Sequence, residues 1–451
     1  MKTELHYYDI YPKVFPEGRE IHITIKPLGW HCAFDSAASY TVGIRPMSEA
    51  DPHNSPHRDN KTEYIINPDI DGCLRFSHIF RGEQEQYIRI FREGKRLLQL
   101  SVFSLREDLV GRYPFMGDLH VHSARSDGRE APAIVAANLR RAGYDFTVIS
   151  DHHRYYPSLE AIEAYKNVSI DMNIVPGEEV HLPNNNVHIV NFGGTYSVNG
   201  LIESSPQITD RGKNEKYRSI TTVCPPVITH DEYTAEVEAI AAKLDLPETI
   251  ERFPYASCVW AFNHIKKCGG LGIFCHPYWI SDVYQIAEEF TNYLTETVPF
   301  DAFEVLGGES YFEQNGMQTA KYYDDKEKGR RYPVVGSSDS HGTVNNSNAH
   351  VASTIIFSPQ NIREALIDSV KQHYSVAVDN LVNDIGLVGD FRFVRYGAFL
   401  LRNYFPLLAE LCYEEGRLMK SYVCGDESAG VELNGLKGRT DNLRRRYFLF
   451  D

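Results

Sequence analysis

The sequence predicts an α/β protein: a barrel of alternating strands and helices, preceded by a small all-β region and followed by a helical segment. Three observations carry this. From about residue 112 to about 370, short apolar runs alternate with helical stretches, the pattern of parallel β/α architecture. Ahead of them, short alternating segments follow one another without a long helical pattern. Finally, the residues able to do chemistry collect at the ends of the apolar runs, where barrel active sites are built.

In the first region, taken as a domain over 1–111, Ile21, Ile23 and Ile25 alternate with His22, Thr24 and Lys26, the period of a half-buried strand. Further strands are expected over Tyr40–Ile44, Tyr64–Ile66, Leu74–Phe76, Tyr87–Phe91 and Leu97–Leu105, the last two joined by a turn at Arg92-Glu93-Gly94-Lys95. Short strands closed by tight turns suggest a small β-sandwich.

The second region, 112–380, contains the runs Phe115–Val121, Phe146–Ser150, Ile174–Pro176, Val187–Phe192, Leu271–Cys275, Ala302–Leu306 and Val334–Gly336. Helices are expected over Pro132–Ala142, Ala256–Lys267 and Ser281–Leu294. These runs suit a TIM-like barrel slightly short of the usual eight strands; a further run, Val351–Phe357, keeps an eight-stranded barrel open. Residues 197–255 break the rhythm and read as an insertion, with Arg211, Lys213, Lys216 and Arg218 forming a basic cluster. Such a long insertion is usually functional or disordered. Placed after the fourth run, it is expected to rise over the ligand-bearing face as a partial lid. The last region, 381–451, returns to helical patterning, with Phe399, Leu400, Tyr404, Leu407, Leu408 and Leu411 on one face and a kink at Pro406. It reads as a packing appendage.

With 451 residues, 42% hydrophobic and 24% charged, the chain can bury a sizeable core and form more than one domain. Its net charge of −15, from 46 basic and 61 acidic residues, argues against general affinity for duplex nucleic acid. No C-x-x-C pair occurs among the cysteines, so reduced thiols are expected. With no apolar signal core at the N-terminus and no run long enough to span a bilayer, the expected location is the cytoplasm, away from membranes.

The chemistry lies in the order of the run ends. They carry Asp118-Leu119-His120-Val121-His122-Ser123 with Ser126-Asp127-Gly128, then Ser150-Asp151-His152-His153, Pro176-Gly177-Glu178-Glu179, Val187-His188-Ile189, Phe274-Cys275-His276-Pro277 and Ser337-Ser338-Asp339-Ser340-His341-Gly342. In His120-Val121-His122 two imidazoles two positions apart on an extended segment point to the same side; Asp339-Ser340-His341 repeats the spacing. Neutral imidazoles and carboxylates are ligands for zinc, iron or manganese. Arg125, Arg129 and Arg154 sit beside these motifs and could clamp a phosphate. Glu304 could orient a ligand, and Tyr278 and Trp279 could wall the pocket.

In combination and order, these motifs resemble those of the PHP (polymerase and histidinol phosphatase) family over about 115–345. The resemblance implies a distorted (β/α)7 barrel with a trinuclear metal site. Carried onto this chain, His120 and His122 bind the first metal with Asp339, and Glu179 bridges the first and second. His188 and His276 complete the second, and Asp127, His152 and His341 hold the third. The family's Gly-x-Glu spacing selects Glu179 over Glu178; His181 competes with His188.

The function expected is metal-dependent hydrolysis of a small phosphorylated substrate, using two or three divalent ions (zinc, manganese or iron) and a hydroxide held between the first two. Glu179, Asp339 and His341 are the candidate catalytic residues, with Arg125, Arg129 and Arg154 as candidate phosphate binders. The alternatives are amidohydrolase-like cleavage of a C–N or carboxyl ester bond, and a non-catalytic metal-binding module.

Overall fold

The structure is a computed structural model that describes residues 4–48, 62–210, 213, 215–220, 224–308, 312–343, 352–380 and 386–450. The chain forms two compact units: Met1–Tyr113 with Val394–Leu408 and Gly438–Asp451, and Pro114–Phe393 with Ala409–Lys437.

In the first unit, strands β1 (Tyr8–Tyr11), β2 (Val14–Pro16), β3 (Glu20–Pro27), β4 (Tyr40–Pro46), β5 (Thr62–Ile66), β6 (Leu74–Ile79), β7 (Gln84–Arg92) and β8 (Lys95–Leu105) form two sheets, ordered β1-β3-β6 and β2-β8-β7-β4-β5. One apolar core lines both. Ile10, Ile23, Ile25 and Leu74 come from the smaller sheet, and Val42, Ile88, Ile90 and Leu100 from the larger. This is sandwich packing, with inward residues alternating with outward ones. The β7–β8 turn places Glu93 at φ 51° and Gly94 at φ 76°, the left-handed pair a two-residue hairpin needs to match strand twist.

The expected C-terminal appendage is helical, but its helices are shared between the units. In the first unit Val14 bridges to Phe448 in parallel, Lys13 N donates to Tyr447 O at 2.8 Å and Leu449 N donates to Val14 O at 2.9 Å. Phe103 packs its ring 5.0 Å from Tyr396 and 5.4 Å from Phe399. In the second unit Leu418, Met419, Ala429 and Leu433 are buried with Val135 and Leu139. The helices Phe391–Asn403 and Phe405–Val423 are separated by the single residue Tyr404, just before the expected kink at Pro406.

The second unit contains β9 (Tyr113–Asp118), β10 (Phe146–Val148), β11 (Asn173–Val175), β12 (Gly177–Val180), β13 (Ile189–Phe192), β14 (Leu271–Phe274), β15 (Ala302–Leu306), β16 (Val334–Gly336), β17 (Ala352–Ser358), β18 (Ser375–Asp379) and β19 (Gly386–Val388). They form sheets ordered β11-β10-β9-β17-β18-β19 and β12-β13-β14-β15-β16. Parallel pairing with intervening helices holds across β9–β10–β11 and β14–β15–β16. The helices are Pro132–Arg141, Tyr156–Ala164, Glu288–Thr297 and Phe312–Glu327; the third is displaced from the Ser281–Leu294 expected.

Between these stretches the expected all-parallel order fails. β13 is antiparallel to both β12 and β14. The loop 181–188 is too short for the crossover a parallel neighbour requires, so β12 and β13 form a hairpin. The third run ends at Pro176, and the residues after it form β12 in a different sheet from β11, because proline has no N–H for a ladder. The eighth run becomes β17, antiparallel to β18; Val351 lies outside the described residues. Isolated parallel bridges, His152 to Glu179 and Val121 to Ser340, tie the two sheets together at their ligand-bearing ends.

Within the insertion, Thr229 and Glu232 form a capping box for the helix His230–Ala241. All the cysteines are unbridged. Among the described residues no helix is long and apolar enough to cross a membrane.

Candidate metal centre

Most of the metal-binding candidates sit in or just beside a strand, and Asp127 lies in the loop after β9. His120 and His122 leave β9 in extended conformation, so both face inward, and both are fully buried. His152 follows β10 and Glu179 lies in β12. His188 precedes β13; reversal of that strand sets it beside the end of β12, through the Val180–Ile189 pairing. His276 follows β14, and Asp339 and His341 follow β16.

Glu179 is the hub. Its Oε1 lies 2.8 Å from His188 Nδ1 and 3.6 Å from both His120 Nε2 and His276 Nε2. Its Oε2 touches His152 Nδ1 and lies 3.2 Å from His181 Nε2 and 3.7 Å from His122 Nε2. Asp339 Oδ1 is 2.8 Å from His122 Nε2 and 3.3 Å from His120 Nε2, and its Oδ2 is 3.8 Å from His276 Nε2. Further out, Asp127 Oδ2 lies 3.4 Å from both His152 Nε2 and His341 Nε2. The structure thus brings together His120, His122, Asp127, His152, Glu179, His188, His276, Asp339 and His341, separated by up to 221 positions in the sequence.

The donors fit divalent cations. Both Glu179 oxygens and Nδ1 of His122, His188 and His276 are buried without a hydrogen-bond partner, which is costly unless another partner takes them. Grouped imidazole nitrogens and carboxylate oxygens recur as His120/His122/Asp339, His120/Glu179/His276 and His122/Asp127/His152/His341, donor sets suited to zinc, manganese or iron. Burial raises the Glu179 carboxyl, but the imidazoles of His152, His188, His181 and His120 outweigh it and hold the group well below the usual carboxylate range. Burial, together with His152, pulls His122 down to about 4, leaving a neutral ring with a lone pair to offer.

Four further acids position these groups. Asp118 accepts from Ser338 Oγ at 2.5 Å, Ser338 N at 3.1 Å and His120 N at 3.1 Å, clamping the first motif to the last. Asp151 accepts from Ser123 Oγ at 2.7 Å and from Ser126 Oγ at 2.6 Å and N at 2.8 Å; it shapes the loop that presents Asp127. Glu178 faces away from Glu179 and accepts from Ser197 Oγ at 2.6 Å and Asn199 Nδ2 at 2.9 Å. Glu304 Oε1 meets His120 Nδ1, and its Oε2 accepts from His276 N at 3.0 Å. Asp339 itself sits at φ 52°, an uncommon conformation for a residue with a side chain and one concentrated at functional sites.

With this geometry in view, no protein-family model matches the chain, and no curated protein matches it. Solved structures do resemble it. One is a two-domain protein from Bacteroides vulgatus described as containing a predicted PHP-like metal-dependent phosphoesterase, 16% identical with a TM-score of 0.39, covering 59% of this chain and 65% of that one. The match thus spans just under two thirds of that relative's length. Another is an amidohydrolase from Chromobacterium violaceum with bound sulfate, 18% identical, TM-score 0.31, covering 51% of this chain and 89% of that one. A third is Endonuclease Q in complex with a 27-mer duplex carrying an abasic lesion, 15% identical, TM-score 0.31, covering 58% and 57%.

A cavity of about 470 Å³ opens onto the donors, lined by residues that include Asp127, His152, His153, Arg154, Trp279 and His341. Among the three candidate arginines, Arg154 is the one that lines it. Arg125 instead grips Glu160 through Nε and Nη2, each at 2.7 Å, and the exposed Arg129 is not among the lining residues. Arg154 Nε donates to Asp210 Oδ2 at 2.7 Å, so the start of the insertion reaches the cavity wall. Of the basic cluster in the insertion, Lys213 and Lys216 are exposed, while Arg211 and the Arg218 side chain lie outside the described residues. Tyr278 packs edge-on against Tyr284, 5.4 Å away, rather than lining the cavity. His181, the sequence's competitor to His188, lies beside the donors together with His188, and Gln285, whose Nε2 sits 2.6 Å from His188 Nε2, gave no sign in the sequence.

Proposed function

We propose that this chain is a metal-dependent phosphoesterase acting on a small phosphorylated substrate. The observation that carries the reading is Glu179: a fully buried carboxylate among six imidazoles and opposite Asp339, with neither oxygen satisfied by a hydrogen bond. Divalent ions, bound when the centre is loaded, supply a nucleophile from water at neutral pH and neutralise charge on phosphoryl oxygens.

The protein's own groups divide the rest of the work. Glu179 and Asp339 provide the negative charge that holds cations between the buried imidazoles. Asp127, His152 and His341 form an outer donor set, and the full arrangement accommodates three ions, zinc or manganese among them. Arg154, beside that set, offers a planar fork to a phosphate. Trp279 and His153 wall a volume suited to a small molecule. The overall charge of −15 repels long polyanions, which favours a small substrate over duplex nucleic acid. In this reading β9, β10 and β12–β16, linked by the two bridges, serve as a distorted seven-stranded barrel.

The test is a substrate screen of the full chain after chelation and after reloading with zinc or manganese, spanning phosphomonoesters, phosphodiesters, an abasic-site duplex, amides and carboxyl esters. Metal-dependent release of inorganic phosphate from small phosphomonoesters is expected. Turnover confined to amides or carboxyl esters moves the chain to amidohydrolase chemistry, and turnover confined to the duplex overturns the small-substrate reading. Failure to bind any divalent ion overturns the hydrolase reading itself.

A further inference from the structure

Glu179-Val180-His181 repeats, in β12 and the residue after it, the spacing of His120-Val121-His122 and Asp339-Ser340-His341. Alternation along the extended backbone turns Val180 into the apolar core and sends Glu179 and His181 the other way, toward the donors. His181 is outside the nine positions that the family resemblance implies. Even so, its Nε2 lies 2.8 Å from His152 Nδ1 and 3.2 Å from Glu179 Oε2, and Glu179 Oε2 also touches His152 Nδ1. These three residues form one group of potential ligand atoms, all within 4.8 Å of one another. Its backbone is fixed as well, since His181 N donates to Asn199 Oδ1 at 3.1 Å.

We propose that His181 is a metal ligand, completing with Glu179 Oε2 and His152 Nδ1 an inner cation position distinct from the outer set around Asp127. The inference rests on the metal-dependent reading above. Around a tetrahedral zinc ion with bonds near 2.0 Å, donor atoms stand roughly 3.3 Å apart, which the His181–Glu179 pair matches at 3.2 Å, while the two pairs that include His152 are closer and must open to admit the ion. Without a cation, Glu179 Oε2 is left buried with no hydrogen-bond partner in this triangle. His152 then has a particular place in the centre. Its Nδ1 faces the inner set, while its Nε2 faces Asp127 at 3.4 Å. A neutral imidazole has one lone pair, so the inner and outer positions draw on His152 in turn, and occupancy of one weakens the other.

The test is titration of the chelated full chain with Zn2+ by calorimetry and with Co2+ by absorption, whose ligand-field bands report the donor set. Outer-shell partners of metal ligands are commonly worth about 10- to 100-fold in affinity. His181→Asn is therefore expected to weaken one equivalent by at least about tenfold and to alter the Co2+ bands. Unchanged stoichiometry, affinities and bands in a folded His181→Asn overturn the proposal while leaving the metal-dependent reading intact. If that variant does not fold, nitrogen NMR of the histidine-labelled unaltered chain decides: the His181 ring resonances shift on adding Zn2+ if it ligates, and their staying fixed while other histidines shift overturns it. No metal uptake by the unaltered chain overturns both readings.

Discussion

Glu304 Oε1 and His120 Nδ1 stand 3.1 Å apart, both side chains fully buried. The carboxylate holds one ring nitrogen so that the other, Nε2, faces Glu179 and Asp339. Removing the Glu304 charge should loosen this orientation without removing a donor. Glu304→Gln is expected to lower metal affinity about 10- to 100-fold while the far-UV circular dichroism stays unchanged; calorimetric titration checks it, and wild-type affinity contradicts it.

Asp339 and Asp127 should behave differently. Asp339 is nearly buried and reaches three imidazoles, whereas the Asp127 side chain is 56% exposed and reaches two. Elemental analysis should find Asp127→Ala short of one metal ion and Asp339→Ala more widely depleted, with activity falling in both. Equal metal content in the two variants contradicts the assignment of separate inner and outer sets.

Asp210 already holds Arg154, the proposed phosphate binder. Its Oδ2 accepts from Arg154 Nε at 2.7 Å and from Tyr156 OH at 3.0 Å. Asp210→Asn weakens this hold on the guanidinium and should lower KM for a phosphomonoester by on the order of tenfold; Arg154→Ala should raise it. Identical KM values in all three proteins mean that Arg154 does not bind the phosphate.

Lys13 makes the first unit sensitive to pH. Burial pulls its amine from 10.5 down to about 7, and the neighbouring Arg446 acts in the same direction. Across that window the folded state binds fewer protons than the unfolded state, so stability rises with pH from about 7 toward about 10. Lys13→Met should be more stable than the unaltered chain at pH about 6, by on the order of a few kcal/mol, and the advantage should shrink as pH rises. Thermal melts across the range check this; a constant difference between the two proteins contradicts it.

A truncation to residues 110–380, the cut suggested by sequence boundaries, should fail to fold cooperatively. It discards Leu418, Met419, Ala429 and Leu433 from the core of the second unit. It also strands the buried Arg140, whose Nε donates to Glu415 Oε2 at 2.7 Å, and breaking a buried pair costs about 3–5 kcal/mol. Ending at 437 instead should restore a cooperative melt. A sharp transition in the shorter fragment contradicts this.

The clustering of the candidate donors was legible because their identity and spacing are local. His120-Val121-His122 and Asp339-Ser340-His341 state their geometry in three residues, and strand ends can be read from apolar runs. The direction of β13 depended on something equally local, the shortness of 181–188, but its weight was masked by the alternation on either side. Support for the donors was harder to read. Asp118 and Asp151 look like further metal ligands until serines are found closing on them, and Glu304 meets a partner 184 positions away. Nor did any pattern in 381–451 reveal that its helices complete two different cores, since an apolar helix face does not specify what it packs against.

The pairing of Val14 with Phe448 has a consequence for biosynthesis. At synthesis rates of roughly 5–20 residues per second, the β-sandwich emerges on the order of tens of seconds before the segment that closes it. Throughout that interval the edge of β2 and the ring of Phe103 await partners still to be translated, while the intervening metal-centre domain emerges and can begin to fold. Nascent chains stalled before residue 394 should therefore bind chaperones that recognise exposed apolar strands, and emergence of the segment around Phe448, rather than completion of the first hundred residues, is when the first unit becomes native.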